Sequence, residues 1–188
     1  MGTIGGNIVN ASPIADSLPF LFVTESQLEV AGPQGRRTIN INDFYRGYRQ
    51  TDLQRGEILT RVRIPIPTSK QHLSLYKVSR RRDLDIATFT AAILLDVCGG
   101  EIVEARIALG AVGPTVLRAR RTEAFLRGTA ISAAIASCAN RMHSLARRAR
   151  TGHDRSVHCG VAALSTQAPT PSSYDLTSSF HKVGIVRL

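Results

Sequence analysis

The first third of the chain carries short stretches in which polar and apolar side chains alternate. Gln27–Val30 alternates in this way, and Arg36–Ile41 follows it after a turn that contains glycine and proline. Alternation places successive side chains on opposite faces of a strand, so these two stretches are predicted to pair as a hairpin. Asn42–Phe44 then predicts a short helix, capped by Asn42 or by Asn40.

Another strand is predicted just before a proline-rich stretch. Ile58, Thr60, Val62 and Ile64 fall on one face of it, and the arginines between them fall on the other. Pro65 is expected to end the strand because proline cannot donate a hydrogen bond to a neighbouring strand. The residues that follow, as far as position 69, are predicted to be a linker.

The middle of the chain predicts a sheet followed by helices. A strand is expected over residues 72–78, and two apolar stretches, Ile86–Val97 and Ile102–Leu109, meet at a glycine turn typical of a hairpin. Ala119–Leu126 predicts a helix that ends at Gly128. Apolar residues at three- and four-residue steps predict a further amphipathic helix: Ile131, Ile135, Cys138, Met142 and Leu145. Strands followed by helices indicate an α+β fold.

Three regions of the chain differ in composition, and they suggest its domain organisation. Residues 1–66 are predicted to form one subdomain and residues 70–150 a second, α+β domain. Residues 151–188 lose hydrophobic periodicity and are rich in Thr, Ser, Pro and Gly, most clearly in QAPTPSS at 167–173. Such a composition buries too little apolar surface to offset the cost of ordering, so this tail is expected to be disordered.

The charge of the chain raises the possibility of a nucleic-acid-binding protein. The formal net charge is +10 and the pI is about 10.5. The basic residues are almost all arginines, however, and the only lysines are Lys70, Lys77 and Lys182. Aromatic residues make up 5% of the chain and Trp is absent, so no stacking platform for bases is evident. Nucleic-acid binding is therefore a minor alternative.

Several other classes of site lack their sequence signature. Cys98, Cys138 and Cys159 are scattered, which provides neither a zinc motif nor the four thiolates of an iron–sulfur cluster. His153, Asp154, His158 and Cys159 fit no standard zinc spacing, and no serine or cysteine has a credible His–acid partner. No apolar run reaches membrane-spanning length and no signal peptide is recognisable, so a cytoplasmic protein with reduced thiols is expected, without a metal ligand set or catalytic residues of its own.

The most informative segment for chemistry lies at the start of the chain. Residues 3–17 read TIGGNIVNASPIADS. The adjacent Gly5 and Gly6 carry no Cβ, so a loop built on them can bring backbone N–H groups directly against a phosphate. A carboxylate such as Asp16 commonly accepts hydrogen bonds from the hydroxyls of a nucleotide. The segment is predicted to hold a phosphate-bearing cofactor.

The same segment resembles the second flavin-binding loop of the molybdenum hydroxylases, the family of xanthine dehydrogenase, aldehyde oxidase and carbon monoxide dehydrogenase. Further motifs follow in the family's order, and the resemblance, which extends over roughly residues 3–128, is to the xanthine dehydrogenase type. These motifs are Tyr48–Thr51, Gly56–Leu59, Ile64–Pro65, Tyr76–Arg81 and Asp85–Ala87. Leu84 stands where the family has an acid, and the family's final D-x-R-G motif is absent from the tail.

The resemblance implies a fold and a cofactor. The chain is expected to hold the C-terminal part of a PCMH-type FAD-binding domain, followed by a domain like the C-terminal domain of the CO dehydrogenase flavoprotein. FAD is the implied cofactor. Carried over from the family, its contacts are expected at Thr3, Ile4, Gly5, Gly6, Asn7, Asp16, Leu59 and Lys77, with Leu59 against the flavin ring and Lys77 beside it.

The resemblance also implies partners and limits. Iron–sulfur clusters and a molybdenum cofactor are expected on other domains or on a large subunit, with electrons passing through FAD to NAD during the oxidation of a purine. The family's other flavin loop is expected upstream of Thr3, so the chain alone should bind FAD weakly or not at all and be inactive by itself. A non-catalytic remnant or interaction module is the alternative.

Overall fold

The computed structural model describes residues 2–79 and 86–131, together with the backbone of residues 184–186. The fold is α+β, and its strands pair antiparallel throughout these residues. Among the described residues, no helix is long and apolar enough to cross a membrane.

The N-terminal part consists of short helices around a three-stranded sheet with the strand order β2-β1-β5. The predicted hairpin of β1 and β2 is confirmed, and Asn40 caps α3 through its side chain. The elements are α1 (Ile4–Val9), α2 (Leu18–Val23), β1 (Gln27–Gly32), β2 (Gly35–Asn40), α3 (Ile41–Phe44), β3 (Tyr45–Gly47), β4 (Gln50–Thr51) and β5 (Ile58–Arg63).

The second part is a larger sheet with the strand order β10-β8-β7-β6-β11. The predicted hairpin of β7 and β8 is confirmed, as is the helix before Gly128, where a φ of +73° favours glycine. The elements are β6 (Gln71–Ser79), β7 (Ala87–Cys98), β8 (Glu101–Gly110), β9 (Leu117–Arg118), α4 (Arg120–Leu126), β10 (Thr129–Ala130) and β11 (Gly184–Val186).

Two expectations fall largely outside the described residues. The amphipathic helix predicted from Ile131 to Leu145 is described only at its first residue. Of the predicted disordered tail, the structure describes only β11, which pairs with the outer edge of β6 opposite Lys77–Ser79.

The prediction for the faces of β5 is wrong. The register against β1 shifts between Glu29 and Val30, which adds one residue on the β5 side of the pairing. A bulge of this kind moves the following side chains to the other face. Ile58 is therefore 64% exposed, and Leu59 takes its place, together with Val62, against the core.

One hydrophobic core joins the two parts. The apolar side of α2, which includes Leu18, Leu21 and Phe22, is buried between them. Leu28 from the first sheet and Leu94 from the second belong to the same cluster. The relative position of the two sheets is therefore fixed by packing on both sides of one short helix.

A buried ion pair lies beside this core. The Arg118 side chain, 6% exposed, binds both oxygens of Glu123 at 2.7 and 3.1 Å. Glu123 Oε1 also accepts from the Ile107 amide at 2.8 Å, which ties α4 to β8. On its other side Arg118 Nη1 donates to Phe22 O and Asn42 Oδ1, both at 3.2 Å. The pair therefore holds α2 and α3 against the second sheet.

A second, more exposed network fixes the loop before β5. Arg37 binds both oxygens of Glu57 at 2.8 Å and Asp52 Oδ2 at 2.8 Å, and Asp52 also pairs with Arg46. The Arg37 hydrogen bond, followed by that of the Gln54 amide, lowers the pKa of Glu57 from 4.5 to about 2. The hydrogen bonds of Arg37 and Arg46 lower the pKa of Asp52 as well.

We expect Arg118→Met to lower the free energy of unfolding by about 3 kcal/mol, because it leaves the buried Glu123 carboxylate with only the exposed Arg120, at 3.7 Å, as a counter-ion. The double variant Arg118→Met/Glu123→Met should recover much of that loss, since two apolar side chains leave no unpaired charge. Urea denaturation measures both. Arg121→Met, at an exposed position of α4, the helix that carries Glu123, is the matched control and should change the free energy of unfolding little. We call the boundary at which α2, α3 and the turn before α2 pack against the second sheet the seam. Equal losses of stability at positions 118 and 121 would contradict the role of the Arg118–Glu123 pair in holding the seam together.

The network at Glu57 predicts a dependence of stability on acid. Between pH 4.5 and about 2 the folded state binds fewer protons at Glu57 than the unfolded state does. The network's contribution is therefore complete above pH 4.5 and declines as the pH falls through that window. The urea midpoint, followed from about pH 5 to 2.5, should fall less steeply in Glu57→Gln than in the wild type. Glu101→Gln, at an exposed strand end, should keep the wild-type slope.

Candidate functional site

The segment with the paired glycines is a helical turn, which corrects the prediction of a loop. Thr3 is the N-cap of α1, and its Oγ1 accepts from the Gly6 amide at 3.0 Å. Its carbonyl oxygen accepts from the Asn7 amide, also at 3.0 Å. Thr is a favoured N-cap residue, and these two bonds start the helix despite the low helix propensity of glycine.

The backbone donors of this turn are only partly those that were predicted. The amides of Gly6 and Asn7 already donate to Thr3, and their predicted place in the FAD site stays a prediction. The amides of Ile4 and Gly5, the first of the helix, have no acceptor within residues 2–79 and 86–131. The available backbone donors of α1 are therefore those of Ile4 and Gly5, two of the predicted site residues.

The two glycines serve different purposes. A Cβ at Gly6 would lie 3.1 Å from Thr3 Oγ1, so a larger residue presses on the cap. A Cβ at Gly5 would lie 3.8 Å from Leu59 Cδ2, which is an ordinary contact. Gly5 and Leu59, both predicted site residues, are thus neighbours across α1 and β5. Nothing in the packing of the described residues requires glycine at position 5.

Lys77 and Asp16 form an ion pair across the two parts of the structure. Lys77 Nζ lies 2.6 Å from Asp16 Oδ2, although the residues are 61 positions apart in sequence. The Lys77 side chain on β6 is 21% exposed, and the Asp16 side chain, in the turn before α2, is 41% exposed. The site therefore contains a cation and an anion in direct contact, at a surface that a ligand can reach.

Two further residues position this segment and were not recognised from the sequence as contributors. Ser17 Oγ donates to Asn7 Oδ1 at 2.7 Å. Tyr45 Oη donates to Ile8 O at 3.0 Å and so holds α1 against the core, where its ring stacks on Phe22. Burial raises the pKa of Tyr45, which keeps its phenol a donor. For the contact of Ser17 with Asn7, the available sequence signal was the position of Ser17 directly after Asp16. For the contact of Tyr45 with Ile8 O, the sequence held no signal.

The turn that carries Asp16 packs closely against the strands β7 and β8, beside Lys77. Thr90 lies directly opposite Lys77 in the β6–β7 register, and Gly110 lies opposite Thr90 on β8. A Cβ at Gly110 would overlap Thr90 Oγ1 and come within 3.3 Å of Pro13 O. Thr90 Oγ1 is buried and has no hydrogen-bond partner in the described part of the chain. Glycine at position 110 therefore leaves room for the Thr90 side chain and for the turn that carries Asp16.

The arrangement combines three kinds of chemistry. Free amides on α1 and the ammonium of Lys77 suit an anionic group rich in acceptors. Asp16 can accept from hydroxyl groups, and Leu59 offers apolar surface to a flat ring. The described residues contain no group of three or more His, Cys, Asp or Glu that could hold a metal ion. The arginine-rich stretch 80–83 and Leu84 lie outside the described residues.

The likeness to known proteins covers most of the chain. Residues 1–67 match the model of the FAD binding domain in molybdopterin dehydrogenase, and residues 74–153 match that of the CO dehydrogenase flavoprotein C-terminal domain. The carbon monoxide dehydrogenase medium chain of Afipia carboxidovorans is 38% identical over 70% of this chain and 45% of its own length. The xanthine dehydrogenase of Blastobotrys adeninivorans is 37% identical over 67% of this chain and 9% of its own length.

Solved structures show the same relationship. Quinoline 2-oxidoreductase from Pseudomonas putida 86 aligns with a TM-score of 0.69 at 31% identity, over 87% of this chain and 58% of that one. The chain thus spans about half the length of its relative among the medium chains and about a tenth of the xanthine dehydrogenases. With two family models matched over residues 1–67 and 74–153 and relatives up to 38% identical, the chain belongs to the FAD-binding part of the molybdenum hydroxylase family.

Proposed function

We propose that this chain forms one wall of an FAD site in a molybdenum hydroxylase of the xanthine dehydrogenase type. The observation that carries the proposal is the Lys77–Asp16 contact. Asp16 comes from the segment matched to the FAD binding domain and Lys77 from the segment matched to the flavoprotein C-terminal domain. Two residues assigned to flavin binding on separate motifs therefore meet at one place.

The surrounding residues suit the chemistry of FAD. Its pyrophosphate is anionic and accepts hydrogen bonds, which matches the free amides of Ile4 and Gly5. Its ribityl and ribose hydroxyls match the Asp16 carboxylate, and its ring matches Leu59. Gly5 leaves the surface beside Leu59 low, so a ring can approach it. When bound, FAD supplies the redox chemistry. These residues bind and orient it, and the Lys77 ammonium balances part of its negative charge.

Thr3, Gly6 and Asn7 act differently within this proposal. Thr3 and Gly6 build the cap that fixes the start of α1, and Asn7 presents a polar side chain at the same surface. We also propose that residues 1–66 and 70–150 are the two structural units. The stretch between β5 and β6, which holds two prolines, supports that division.

The wider enzyme is part of the proposal. Electrons from a molybdenum site on a large subunit would reach FAD through iron–sulfur clusters on other domains and pass to NAD, with a purine as the substrate. The xanthine dehydrogenases at 33–37% identity support this assignment, and the CO dehydrogenase medium chain at 38% identity supports the flavoprotein role more generally. A cytoplasmic location accompanies it, in keeping with the exposed free thiol of Cys98.

The alternative of a nucleic-acid-binding protein is weakened by the arrangement of its arginines. Arg37, Arg46, Arg61, Arg63 and Arg118 all lie in ion pairs with carboxylates of the same chain. A nucleic-acid phosphate would therefore have to compete with these carboxylates for the five side chains.

The proposal predicts weak but specific binding of FAD to the purified chain. Since the chain offers one wall of the site, we expect a dissociation constant of about 0.1–1 mM. Lys77→Met should weaken binding about tenfold because it removes the ammonium beside the ligand. Equilibrium dialysis against FAD, with flavin absorbance as the readout, measures both values.

Lys70→Met is the matched control, because Lys70 is an exposed lysine in the turn just before β6. It should leave the FAD affinity unchanged. Absence of saturable binding up to about 5 mM FAD would favour the non-catalytic remnant. Equal effects at Lys70 and Lys77 would mean that FAD responds only to the overall positive charge.

A further inference from the structure

Ser17 occupies an N-cap position without acting as a cap. It precedes the first residue of α2, where a serine hydroxyl ordinarily accepts from a backbone amide of its own helix. Its side chain makes no such bond. Its hydroxyl donates instead to Asn7 Oδ1, on α1, at 2.7 Å. The Ser17 hydroxyl therefore connects α2 to α1 instead of capping its own helix.

This contact fixes which way the Asn7 carboxamide faces. With Oδ1 held by Ser17, the Nδ2 group is left as two N–H donors. Asn7 is exposed, and its Nδ2 has no acceptor among the residues that the structure describes. The free amides of Ile4 and Gly5 belong to the same helix, so α1 presents donors from both backbone and side chain.

The neighbouring residue directs the other side of the site. Asp16 binds Lys77 on β6, whereas Ser17 binds Asn7 on α1. Two consecutive residues thus hold a donor from each of two elements in place.

We propose that Ser17 is a positioning residue for ligand binding, which orients Asn7 so that Nδ2 donates to a phosphoryl oxygen of FAD. This rests on the proposed FAD site but adds a residue and a direction of hydrogen bonding to it. Ser17 itself does not touch the ligand; its effect passes through Asn7. If the carboxamide were reversed, with Nδ2 donating to Ser17 Oγ, Asn7 would present an acceptor, which suits a ligand hydroxyl instead of a phosphate.

The test compares FAD affinities of the full chain by equilibrium dialysis. Ser17→Ala should weaken binding about fivefold, and Ser17→Thr, which keeps the hydroxyl, should remain within about twofold of the wild type. Ser17→Ala should have no further effect in an Asn7→Ala background, since the residue acts through Asn7. Asn7→Asp should weaken binding more than about tenfold, because it places acceptors and a negative charge against a phosphate.

A measurement without ligand separates this proposal from the FAD site itself. The Asn7 side-chain amide should be ordered in the heteronuclear NOE of the wild type and become mobile in Ser17→Ala. The urea midpoint should stay the same, because no cap bond is lost. An Asn7 amide that is already mobile in the wild type, or an Asn7→Asp variant that binds FAD normally, overturns the role of Ser17. A wild-type chain with an ordered Asn7 and no FAD binding refutes the FAD site, and with it the ligand named here.

Discussion

The guanidinium of Arg118 lies where the two parts of the chain meet, and it binds groups on α2, α3 and α4. It is almost completely removed from water, so its charge must be balanced within the protein. Glu123 on α4 supplies the nearest counter-charge, and Arg118 Nη1 also donates to Phe22 O, Asn42 Oδ1 and Glu25 Oε1. Together these hydrogen bonds hold α2, α3 and α4 in one register along the boundary between the two parts of the chain.

That register brings the site together. The turn after α1 lies against the end of β8, where the Ala111 amide donates to Pro13 O at 2.9 Å. Gly110 leaves room for this approach of Pro13. Asp16, three residues after Pro13, contacts Lys77 on β6. The ion pair at the site and the buried pair at Arg118 are therefore linked through the same seam. A chain in which the two parts separated would lose the site although each sheet could remain paired.

The sequence predicts the parts of the fold that depend on neighbouring residues. The hairpins of β1–β2 and β7–β8 follow from alternation or apolar runs that flank glycine turns, and the end of α4 follows from Gly128. The bulge in β5 was not predictable, because it is set by the register against β1. Two adjacent glycines favour a loop. The Thr3 cap that starts α1 is a weaker sequence signal than the two glycines, so the helix was not predicted. For the site, the motifs predicted Asp16 and Lys77 as contacts of one ligand but gave no reason for the two side chains to touch each other. Long-range ion pairs such as this one depend on tertiary packing, which local patterns do not encode.

The central claim is that FAD binds at the seam between the two matched segments and not on the basic surface elsewhere. Amide chemical-shift mapping of the isotope-labelled chain during an FAD titration tests it most directly. The account predicts that the largest shifts fall on Ile4, Gly5, the Asn7 side chain and Lys77, with a common dissociation constant. The outer face of the first sheet carries Arg36, Arg61 and Arg63, and shifts confined to that face would show charge-driven binding alone and contradict the account.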